Sequence, residues 1–177
     1  ESKECLHNEN SNEDNVAEVG CLPKRLLRKK ETMTFMIHGF SESDKTRGQF
    51  YLSPAVQAHG YSWRLQLYPR GNDHSDETSE HLSCFLHYFA SPRDQQAPFA
   101  QAEYVCGAYT METQLCDYAI EKGKRSCCWG FEDFVQRDQV IRNYLNKDGT
   151  LCLKVNLHVA VDRRAVWYPP TMRQEPT

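Results

Sequence analysis

The sequence contains no apolar run of 18 residues or more, and its mean hydropathy is −0.71, which leaves no candidate for a transmembrane helix. It has no C-x-x-C pair and no H-x-x-x-H pair, so zinc sites built on those spacings are excluded. It has no N-x-[ST] acceptor, which speaks against an extracellular life. It has no strong excess of one charge: a net charge of −3 and a pI near 6.2 call for neither nucleic acid nor an anionic membrane. No phosphate-cradling glycine pattern surrounds Gly130, the one glycine set in a turn before a helix-like segment. No signal-peptide pattern opens the chain, and its first residue is Glu1, which reads as a piece excised from a longer protein.

The 177 residues that are present suffice for one domain with a real core. Eight cysteines (Cys5, Cys21, Cys84, Cys106, Cys116, Cys127, Cys128 and Cys152) are too sparse for a disulfide-stapled scaffold of this length. Several fall at strand-like apolar positions, where free cysteine acts as a small buried hydrophobe. The expectation is reduced, intracellular thiols.

Residues 1–30 divide into a polar, acidic stretch and a basic lead-in, "CLPKRLLRKKE", and read as a flexible extension. From Glu31 the pattern turns to alternation. "TMTFMIHGF" sets Met33, Phe35 and Ile37 against Thr34, Met36 and His38, and "YSWRLQLYPRG" sets Trp63, Leu65 and Leu67 against Arg64, Gln66 and Tyr68. "GQFYLSP", "HLSCFLHYF", "AQAEYVCGAY", "QLCDYAI" and "GTLCLKVNLHVAV" complete the strand-like set. In "FEDFVQRDQVIRNYL", Phe131, Phe134, Val135, Ile141 and Leu145 are spaced for one or two short helical turns. Seven or eight strands with turn signals between them predict an all-β antiparallel sandwich over residues 31–162. Residues 163–177 turn proline-rich and read as a tail or linker.

Chemistry is hard to find in this pattern. Cys127 or Cys128 with His81, His87 or His158 would be the only nucleophile and base on offer, and no local signature supports the pairing. Acidic residues are scattered through loops without a defensible pair. No enzyme, cofactor or metal is expected. Binding fits better, because Gly130 lets the backbone turn sharply between Trp129 and Phe131, and an aromatic cluster beside a strand edge suits a peptide groove. The plainer reading, that both aromatics are core, stays equally open from periodicity alone.

Five stretches taken in order, "FMIHGFSES", "YLSPAVQAHGYSWRLQLYPRG", "HLSCFLHYFASP", "CWGFEDFVQRD" and "DGTLCLKVNLHV", resemble a MATH (TRAF-like) domain over about 130 residues. The resemblance implies an eight-stranded antiparallel β-sandwich without catalytic machinery, holding an extended partner segment in a shallow groove. It is strongest to the substrate adaptors of cullin-based ubiquitin ligases, which implies a BTB module elsewhere in the protein and a cytoplasmic or nuclear location. A TRAF-type receptor adaptor, the targeting domain of a deubiquitinating protease and an accessory domain of a secreted metalloprotease are the other family settings. The first lacks its preceding heptads in residues 1–30, and the last would need several disulfides.

Carried across residue by residue, the implied groove comprises Phe85, Tyr118, Cys128, Trp129, Gly130 and Phe131, with Tyr104 or Ala102 at a position whose register is open. Two departures alter its chemistry. Cys128 stands where the adaptors and the related deubiquitinase domain carry an aspartate that accepts hydrogen bonds from peptide serines, and Glu132 stands where the adaptors carry a lysine. A thiol is a weak, uncharged acceptor, so a charge-assisted bond worth roughly 1.5–3 kcal/mol is lost and a serine-rich ligand is not expected.

Overall fold

Alternation decides which face of each strand is buried. Strand β2 (Glu31–Ile37) follows a two-residue strand β1 (Glu18–Val19), and buries Met33 and Phe35 while Thr34 and Met36 face outward. The computed structural model describes residues 26–161, together with the backbone of 18–19 and 166–167. After β2 come β3 (Tyr51–Leu52), β4 (Val56–Ala58), β5 (Tyr61–Tyr68), β6 (His81–Phe89), β7 (Phe99–Cys106), β8 (Tyr109–Glu112), β9 (Cys116–Asp117) and β10 (Cys127–Gln136). Helix α1 (Arg137–Asn143), β11 (Leu151–Val159) and β12 (Val166–Trp167) complete the order.

Two antiparallel sheets stack face to face. The first runs β10-β6-β5-β3, with β4 also on β5; the second runs β2-β11-β7-β8, with β9 also on β7. Their inner faces meet in one core that holds Trp63, Leu65, Leu67, Leu86 and Tyr88 from the first sheet and Tyr104, Leu153, Val155 and Leu157 from the second. Trp63 has no exposed surface, its indole N–H reaches the Ala58 carbonyl at 3.1 Å, and its ring meets Tyr118 edge-on at 5.0 Å. The sandwich is therefore all-β as expected, with strand β1 pairing in parallel with β12 outside it.

Ten strands build the two sheets rather than eight. Three of them, β4, β8 and β10, were not expected as separate strands. Pro54 lies between β3 and β4, where it has no N–H to give a ladder. Between β8 and β9 the side chain of Thr113 takes a ladder position: its hydroxyl accepts the Ala102 N–H at 3.0 Å while its own N–H bonds the Ala102 carbonyl at 2.8 Å.

Residues 131–136 also depart from expectation, being strand rather than helix. Pairing of β10 with β6 shifts register between Phe131 and Val135, which puts Phe134 and Val135 side by side in the core. A bulge that turns a strand over mimics three-and-four spacing, and the helix begins only at Arg137. The extension lies outside the described residues except for residues 18–19 and 26–30. There, Leu27 bridges Ala160 and packs on Phe99 and Leu115, and the Arg28 N–H bonds the Val159 carbonyl at 2.7 Å.

Buried Ser83 fastens the bulge. Its hydroxyl donates to the Glu132 carbonyl and accepts the Asn72 N–H at 2.9 Å, tying β10 to the turn after β5. Ser83→Ala leaves both groups unpaired and is expected to cost about 1–3 kcal/mol. Urea denaturation measures it, and an unchanged midpoint would mean the bulge holds without this staple.

Candidate functional site

Strand β10 is one edge of the first sheet and, among the described residues, pairs only with β6, so half of its backbone N–H and C=O groups face away from the sheet. Along it, Cys127, Trp129 and Phe131 turn toward the second sheet and are half-buried against the core. Cys128 and Gly130 turn to the outer face, opposite His87 and Phe85 in register.

Trp129 is held from two sides. Its indole N–H donates to the Asp117 carbonyl at 2.7 Å, and its own carbonyl accepts the Tyr104 hydroxyl at 2.8 Å. That hydroxyl in turn accepts the Leu86 N–H at 3.0 Å. Leu86 and Trp129 are register partners, so a side chain from the opposite sheet bridges one cross-strand pair of the β6–β10 ladder. Tyr104 meets Phe131 edge-on at 5.6 Å, fixing the second aromatic as well.

Gly130 is needed for a different reason from the sharp turn expected. It sits mid-strand without a positive φ, and a Cβ there would lie 2.0 Å from the Cys84 carbonyl oxygen and 2.7 Å from Phe85 Cα. Backbone meets backbone at this point, which no larger residue allows. On the outer face, Tyr68 meets the half-buried Phe85 ring edge-on at 6.1 Å.

Of the seven expected residues, Phe85, Cys128, Trp129, Gly130 and Phe131 gather at this edge with part of their surface open. Tyr104 and Tyr118 have no exposed surface and lie behind them in the core. Ala102, the alternative to Tyr104, is also fully buried. Burial drives the hydroxyls of Tyr104 and Tyr118 far above the ordinary tyrosine range, so both stay protonated. The Tyr118 hydroxyl has no hydrogen-bond partner among the described residues.

A polar chain on the outer face escaped the sequence reading. The Ser126 hydroxyl lies 3.1 Å from His87 Nδ1, His87 Nε2 meets Gln66 Oε1, and Gln66 Nε2 donates to the Tyr68 hydroxyl at 2.9 Å. Because Gln66 Oε1 only accepts, His87 carries its proton on Nε2 and takes the Ser126 proton at Nδ1. The alternation of Gln66 and Tyr68 with core residues was visible, but the link to Ser126 depends on a loop length.

The thiols are poor nucleophiles. Burial, then the neighbouring Cys128, pushes Cys127 up to about 12, and burial raises Cys128 too. No cysteine is hydrogen-bonded to a histidine among the described residues: both His87 nitrogens are occupied, while His81 Nδ1 faces Ser79 and His158 Nδ1 faces the Arg28 carbonyl. The six cysteines among the described residues are free, and these residues include no group of three or more His, Cys, Asp or Glu placed to hold a metal. Cys5 and Cys21 lie outside them.

Two outcomes follow. Tyr104→Phe removes the bridge and leaves the Leu86 N–H and the Trp129 carbonyl unpaired, at an expected cost of about 1–3 kcal/mol in urea denaturation. Equal stability of the two proteins would show that the strands pair as well without it. Burial depresses His87 from 6.5 to about 4, so the folded protein holds it neutral while the unfolded chain takes up a proton below 6.5. Its contribution is complete above pH 6.5 and is lost as pH falls toward 4, on the order of 1–3 kcal/mol. His87→Gln should flatten that decline, and parallel stability curves from pH 7 to 4 would rule it out.

The model of the MATH domain family matches residues 32–157, which includes both sheets and the β10 edge. A curated relative, the BTB/POZ and MATH domain-containing protein 3 of Arabidopsis thaliana, is 27% identical over 139 residues. The match takes in 73% of this chain and 33% of the relative, so the chain spans about a third of that protein's length. With the family model covering well over half of its length, this chain belongs to the MATH domain family of protein-interaction domains.

Proposed function

We propose that the β10 edge binds an extended segment of a partner protein by strand addition. The carrying observation is that Trp129, Gly130 and Phe131 lie half-buried on a strand that is paired on one side only. The free backbone groups would supply register, and the aromatic side chains would supply side-chain choice. Phe85 and Cys128 form the outer wall. Tyr104 and Tyr118 act from beneath as positioning residues, since neither reaches the surface. Preorganisation supports the reading: the indole of Trp129 is already fixed by the Asp117 carbonyl, so little rotamer freedom is left to lose on binding.

In the whole protein this domain would recruit substrates to a ubiquitin ligase through a BTB-based assembly. The name of the Arabidopsis relative, which couples BTB/POZ with MATH, supports that setting, as does the adaptor-like run from Cys128 to Asp138. A short segment on one edge gives modest affinity, on the order of micromolar, and an assembly holding several copies would raise it by avidity.

Selection of a random peptide library on the purified chain tests the reading. Enriched peptides are expected to bind Trp129→Ala roughly 30-fold more weakly, about 2 kcal/mol, as for a central aromatic anchor. Peptides that bind both proteins equally would move the site elsewhere.

A further inference from the structure

The two ends of the β10 edge carry opposite and unanswered charge. In the loop before the strand, Lys122, Lys124 and Arg125 are all exposed. Lys124 pairs with Glu121 at 3.4 Å, whereas Lys122 and Arg125 make no ion pair or hydrogen bond among the described residues. At the other end Glu132 exposes its carboxylate without a partner among the described residues. Beside it Asp133 accepts the Asp76 N–H at 3.0 Å and stands 3.8 Å from His81. Between these ends the wall is uncharged: Cys128 is a thiol and His87 is neutral.

We infer, on the strength of the strand-addition reading above, that the partner segment is bipolar. It carries an acidic side chain against Lys122 and Arg125 and a basic one against Glu132, with apolar residues between them over Trp129 and Phe131. Cys128 to Glu132 spans about 13 Å of strand, and the loop lysines and arginine lie beyond it, so the two charges sit on the order of six residues apart.

Charge complementarity is what makes this occupant specific. Unpaired charges at a sheet edge guard it against strands of like sign. The same charges admit a strand of the complementary pattern, and selection against wrong partners is half of specificity. An acceptor for serine hydroxyls is lacking at Cys128, so discrimination passes from hydrogen bonding at the centre to ion pairing at the ends.

The experiment is a random dodecamer selection run on the full 177-residue chain, on Trp129→Ala and on Lys122→Glu/Arg125→Glu. Peptides that depend on Trp129 are expected to carry Asp or Glu toward one end and Lys or Arg toward the other. The charge-reversed chain should bind them roughly tenfold more weakly, with a loss that shrinks in high salt. Its melting temperature should equal that of the parent, because neither replaced side chain is buried or bonded. Peptides that depend on Trp129 but show no charge bias, or whose bias survives the reversal, would overturn the bipolar ligand and leave strand addition standing. Absence of any Trp129-dependent peptide would overturn both.

Discussion

One hydroxyl joins the two sheets of this domain at the β10 edge. Tyr104 rises from the second sheet, and its oxygen takes the Leu86 N–H and gives its proton to the Trp129 carbonyl. An edge strand has only one neighbour to hold it, so its position is the weakest-specified part of a sheet. Here that position is fixed from the opposite sheet, through the core, by a group too deeply buried to ionise. Gly130 adds the complementary constraint, because the strand lies so close to the Cys84 carbonyl that any side chain would push it away. Bridge and contact fall on adjacent residues of β10, so the aromatic pair Trp129 and Phe131 stands on backbone that cannot slide.

The inner pattern of this fold was legible wherever a strand kept strict period two. β2, β5 and β11 follow their alternation along the strand, and β6 does so from Cys84 onward, because each buries one face against the opposite sheet. β10 was not legible, since its bulge between Phe131 and Val135 changes the buried face in mid-strand and produces a spacing that belongs to helices. Strands β4 and β8 were hidden for related reasons. A proline at residue 54 signals a break without giving its extent, and Thr113 substitutes a hydroxyl for a backbone partner in a way no propensity records.

The site was legible to a different depth. Family likeness picked out Phe85, Cys128, Trp129, Gly130 and Phe131, and these do meet at one edge. It also picked out Tyr104 and Tyr118, whose role as support beneath that edge follows only from burial. A sequence motif registers that a residue matters to a site and is silent on whether it touches a ligand or holds the residue that does. The chain of Ser126, His87, Gln66 and Tyr68 lay beyond reach altogether, because its members come from two strands and a loop.

The two sheets leave other edges open, at β2, at β3 and β4, and at β8 and β9, and the β2 edge can be set against the proposed site on β10. β2 borders a cleft of about 430 Å³ with β3 and β4, lined mainly by apolar residues such as Phe35, Ile37, Val56 and Leu65. That cleft offers volume and one oriented aromatic, Tyr51, whose hydroxyl meets Ser43 at 2.8 Å and whose ring lies under Lys45; Phe35 is buried, and Met36 and Leu52 on the rim are flexible. The turn at His59 also ties the start of β2 across to the other sheet, its backbone N–H on Glu31 at 2.8 Å and its ring on the Leu157 carbonyl at 2.9 Å. Binding energy concentrates in rigid aromatic groups that are fixed before the ligand arrives. Among the described residues, β10 combines an edge paired on one side, two oriented rings and unpaired charge.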